Sequence, residues 1–67
     1  MTQSINITEN DRDMLVAGLN DSIAVYRRCI DAYKKNYSDG APECVAACRN
    51  EIKEREGMVA RLQSIRF

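Results

Sequence analysis

The sequence contains no histidine, no tryptophan, one proline, one phenylalanine and three glycines. Without histidine it lacks both the commonest general base and the commonest metal-binding imidazole. Its glycines stand alone at Gly18, Gly40 and Gly57, so no glycine-rich phosphate loop is present. The three cysteines are an odd number, and Cys44 and Cys48 are four apart rather than three. That spacing is neither a disulfide framework nor a C-x-x-C motif, and buried free cysteine commonly serves as a small apolar residue. No nucleophile has an evident base beside it. The chain is therefore expected to be non-enzymatic, with no catalytic residue, no metal and no cofactor.

Two further absences narrow the partners. No apolar run approaches the roughly 20 residues that a membrane span requires. Ten basic residues balance ten acidic ones, so no bulk charge favours nucleic acid or an anionic membrane. With no secretory leader recognisable, a cytoplasmic location is expected, and the Asn6-Ile7-Thr8 sequon is read as a chance match.

What is present is a seam. Val16, Leu19, Ile23, Tyr26, Ile30, Tyr33 and Tyr37 follow one another in alternating steps of 3 and 4. That spacing is a helical heptad pattern, and it excludes the alternation of a strand. A second row of Met14, Leu15, Ala17, Val25, Cys29 and Ala32 makes the apolar face wider than one partner helix can cover. Thr8 with Asp11 three residues later suggests a capping box, with aspartate in place of the usual glutamate. The Ser38-Asp39-Gly40-Ala41-Pro42 segment ends this helix and starts the next. The second helix carries Val45, Cys48, Ile52, Arg55, Val59, Leu62 and Arg66 at the same spacing.

These signals predict an all-α antiparallel two-helix hairpin, with helices over about 9–37 and 42–65, one domain over 8–67 and a flexible tail over 1–7. Sixty-seven residues bury a small core, which leaves self-association as the stabilising device. A homodimeric four-helix bundle or a higher oligomer is expected, with Leu15, Val25, Met58, Ile65 and Phe67 at its interface. In layout this is similar to the Rop family of RNA-binding hairpin dimers. The likeness is architectural, and no shared motif carries a function over.

Arg55 is the sharpest anomaly, because it stands where the seam calls for an apolar residue. Its stem can cover the core while its head reaches water. It can pair with Glu51 or with an acid across an interface. Or it can face a cavity that takes an anion. Tyr26 and Tyr33 read as core positions with wet hydroxyls, or as an aromatic wall for a ligand. Gly57, paired with Ser22 by folding the chain about its turn, suggests a close helix crossing or a groove. Arg27 and Arg28 give α-helical residues near the middle of the first helix a local positive charge. Three functions follow: an inhibitor or modulator of a host partner protein, of the kind phages and mobile elements encode; an oligomer sequestering an anionic small molecule such as a nucleotide; and, disfavoured by charge, an RNA-binding bundle.

Overall fold

The computed structural model describes residues 7–67. Most of the tail expected over 1–7 lies outside the described residues. Two helices fill the rest: α1, Glu9–Asn36, and α2, Pro42–Gln63, packed against each other as an antiparallel hairpin. Neither is long and apolar enough to cross a membrane.

The ends of both helices have local causes. Thr8 Oγ1 accepts the Asp11 N–H at 3.1 Å, and Asp11 Oδ2 accepts the Thr8 N–H at 3.2 Å. Aspartate therefore completes the capping box despite its shorter side chain. At the far end the Tyr37 N–H donates to the Tyr33 carbonyl at 3.2 Å, and the Gly40 N–H to the Tyr37 carbonyl at 2.9 Å. The reversal then needs two successive left-handed residues, Gly40 at φ +75° and Ala41 at φ +46°. Only the first is a glycine, so Ala41 carries backbone strain. Asp39 steadies it by accepting the Ala41 N–H at 2.9 Å. Pro42 occupies the first turn of α2, where its missing N–H is not needed.

Among the described residues the buried core is five: Ile23, Ile30, Val45, Cys48 and Ile52, with Tyr26, Cys29 and Tyr33 packed against it. All five lie in the half of the hairpin nearer the turn. In the open half, Val16, Leu19, Val59 and Leu62 are only half-buried. The seam therefore runs where its spacing places it, but it is sealed only from its middle toward the turn. Its last member, Tyr37, is 55% exposed, because α2 has not yet begun at that level. The Tyr37 ring rests against that of Tyr33 at 5.9 Å.

Candidate functional site

A hairpin has two broad faces, and here they differ in chemistry. One is polar. Asn20, Arg27, Glu56 and Gln63 line its shallow hollow, floored by Ile23, Ala24, Val59 and Ala60. Arg27 Nη2 lies 3.5 Å from Glu56 Oε2, so its salt bridge crosses to α2 rather than running along α1 to Asp31. The pair is exposed and adds little stability.

The opposite face is built from heptad rows. Leu15, Ser22 and Cys29 are seven apart on α1, as are Leu19, Tyr26 and Tyr33. On α2 the rows are Cys44, Glu51, Met58 and Ile65, and Cys48, Arg55 and Leu62. Residues seven apart lie on nearly one side of a helix, so each row forms a stripe. Toward the open end the stripes meet in a groove of about 380 Å³ lined by Leu15, Leu19, Met58, Arg61, Leu62 and Ile65. Leu15, Met58 and Ile65 are 49%, 41% and 39% exposed there. Toward the turn the same face carries Cys29, Tyr33 and Cys44, with Cys48 buried beneath them.

The centre of this face is polar. Arg55 Nε donates to Ser22 Oγ at 2.8 Å, tying α2 to α1. Arg55 Nη1 donates to Glu51 Oε2 at 2.6 Å and to the Glu51 carbonyl at 3.1 Å. The guanidinium carbon stands 4.7 Å from the centre of the Tyr26 ring, a cation–π contact. The Glu51 hydrogen bond raises the Arg55 pKa above its ordinary value, against the opposing effect of burial. Among the described residues, Nη2 of Arg55 and Oε1 of Glu51 make no hydrogen bond.

Of the residues singled out from sequence, Ser22, Tyr26 and Arg55 therefore converge, and Glu51 joins them. Leu15, Met58 and Ile65 converge in the groove. Val25 is exposed on the flank of α1, about 100° around the helix from Tyr26. Arg28 is exposed, and Arg27 belongs to the polar face. Phe67 is exposed, with the Arg12 guanidinium 5.1 Å from its ring centre. Arg12 had no signal in the seam, yet Glu9 and Asp13 also hold it.

The close crossing expected at the glycines is not formed. Among the described residues, a Cβ on Gly18 would meet nothing within 4 Å, and one on Gly57 would meet only Arg61 Nη1 of its own helix at 3.8 Å. The position opposite Ser22 belongs to Arg55. Gly57 is two residues further on, about 200° around α2, and faces outward among Asn50, Lys53 and Glu54.

Tyr33 and the three free thiols gather near the turn. The Tyr33 phenol is pushed up by Cys44 first and then by burial. The Cys48 thiol is pushed up mainly by burial, then by Cys29 and Cys44. Raised values keep both groups protonated and unreactive near neutral pH. Among the described residues, no three Cys, Asp or Glu side chains are placed to hold a metal ion. Comparisons with protein-family models, curated proteins and solved structures found no match to this chain.

Proposed function

We propose that this chain is a small non-enzymatic interaction protein. It self-associates through its apolar face into a helical bundle. The assembly binds a partner protein and modulates or inhibits it, as do the small inhibitors and anti-defence proteins of phages and mobile elements. One observation carries this reading: Leu15, Met58 and Ile65, three of the exposed large apolar side chains, gather in one groove lined by both helices. Large exposed apolar side chains gathered on one side mark an interaction surface. Met14 and Val25, exposed on the flank of α1, are left for the partner.

The anionic-ligand reading has less support. Its leading donor, Arg55, is already paired with Glu51, and Arg27 is paired with Glu56. The same pairings weaken the nucleic-acid reading, which needs an uncompensated basic stripe.

Sedimentation of the pure protein tests the first half. A mass of at least twice 7.6 kDa at micromolar concentration is expected. Cross-linking capture from the native host tests the second: a partner retained by the wild type and lost by the Met14→Glu/Val25→Glu variant is expected. A helical monomer that captures nothing sinks the reading.

A further inference from the structure

Resting on that self-associating reading, we infer that Arg55 and Glu51 fix how the second copy sits. The two α2 helices lie antiparallel across a two-fold axis that passes midway between these residues. Each Arg55 then faces Glu51 of the other copy.

Several features of the face support this arrangement. The first is unspent hydrogen-bonding capacity. Among the described residues of one hairpin, Arg55 Nη2 and Glu51 Oε1 make no hydrogen bond, and both groups are partly open, with side chains 23% and 42% exposed. A guanidinium and a carboxylate can each take a second, parallel bond. The two-fold supplies both at once, because residue i meets residue j and j meets i.

The second is the pattern around the pair. An axis that places position 51 over 55 also places Met58 over Cys48 of the second copy and Leu62 over Cys44 of the second copy. Large side chains thus meet small ones all along α2, which is how packed layers fill space. Sliding by one heptad, about 10 Å, sets the charged centre against Met58 and Leu62 in one direction and against Cys44 and Cys48 in the other. That covers Arg55 Nη2 and Glu51 Oε1 without giving either a second partner, which is disfavoured. The alternative stacking, α1 over the α2 of the second copy with both turns at one end, sets Arg55 against Ser22 and Tyr26. It provides no opposite charge.

The third is area. α2 has 22 residues, about 33 Å, and two helices abreast span about 20 Å. The face therefore covers about 650 Å² on each copy, or about 1,300 Å² in total, within the range of stable interfaces.

Two experiments test the register. In the Leu62→Cys variant, mild oxidation with glutathione disulfide is expected to give a covalent dimer joined between positions 62 and 44, and Cys44→Ser in that background removes it. Wild-type protein is expected to give no Cys44–Cys44 dimer, because those positions are about 27 Å apart in this register. Separately, Arg55→Glu and Glu51→Arg are each expected to weaken self-association at least about tenfold, the scale of one lost charge pair. Mixed one to one, they are expected to form a heterodimer of near wild-type strength. Within each variant chain the like charges remain, so rescue reports pairing between chains. A wild type that sediments as a monomer overturns self-association and the register together. A dimer that links through Cys44–Cys44, or that resists linkage at 62 with 44, overturns the register alone.

Discussion

Replacing Gly18 and Gly57 with alanine separates two accounts of why they are there. Both sit inside helices, where glycine is about 1 kcal/mol less favourable than alanine because it loses more backbone freedom on folding. A glycine kept for a close crossing offers no such gain, since an added methyl would strike the neighbouring helix. Here the space is open at Gly18, and Arg61 Nη1, the far end of a flexible side chain, is the sole neighbour at Gly57. Each single substitution is therefore expected to stabilise by about 1 kcal/mol. The sites share no partner, so the double variant is expected to gain about 2 kcal/mol. For a domain of this size each kcal/mol moves the midpoint by about 4–8 °C, which gives about 8–16 °C for the pair. Thermal and urea unfolding followed by circular dichroism, at one fixed protein concentration, measures this. A loss of stability at either position refutes the reasoning and places a neighbouring chain against that glycine.

Ile52→Ala removes a core residue and is expected to cost about 2–5 kcal/mol, enough to unfold much of the chain in the same assay. Leu62→Ala, in the half-buried open end, is expected to cost distinctly less. Ala41→Gly relieves the strained φ of +46° and is expected to stabilise by about 1 kcal/mol, read from the urea midpoint. Alkylation mapped by mass spectrometry is expected to label exposed Cys44 before Cys48 at pH 8. The Cys48 value is raised in the fold, so the stability its neutral thiol contributes is complete below the unfolded-state value. It is lost as pH rises through the folded one, and unfolding midpoints are expected to fall on the alkaline side.

The elements were legible because their signals are local. Steps of 3 and 4 define a helix wherever they occur, and a glycine-proline segment between two such runs defines the reversal. Arg55 was legible as an anomaly for the same reason, since it breaks a repeat. Its attachment to Ser22 was not. Counting residues from the turn estimates which levels meet, but whether two residues at one level touch depends on their angle around each helix. That is why Gly57 and Arg55, two residues apart, exchanged places between expectation and structure. The salt bridge from Arg27 to Glu56 was hidden likewise, because an i,i+4 acid on α1 offered a local partner that the fold does not use. Ala41 shows a subtler limit. The turn announced one left-handed residue by its glycine, whereas the second is imposed by the geometry of entering α2.

The hairpin is closed at one end and open at the other, and this bears on association. All five buried residues lie toward the turn, so the cooperative part of the fold is there. The open half holds its exposed leucine, methionine and isoleucine on the same face that carries small cysteines near the turn. An assembly with both turns at one end would set open half against open half, each with a half-buried seam. The register proposed for Arg55 and Glu51 does the reverse. Leu62 and Met58 in the loose half of each copy lie on Cys44 and Cys48 in the firm half of the other. Covering the open end and burying the apolar face then become one event, because the surface that covers each open half is the sealed half of its neighbour. A polar centre between two unlike apolar ends suits that arrangement, since it costs little when matched and is expensive when shifted.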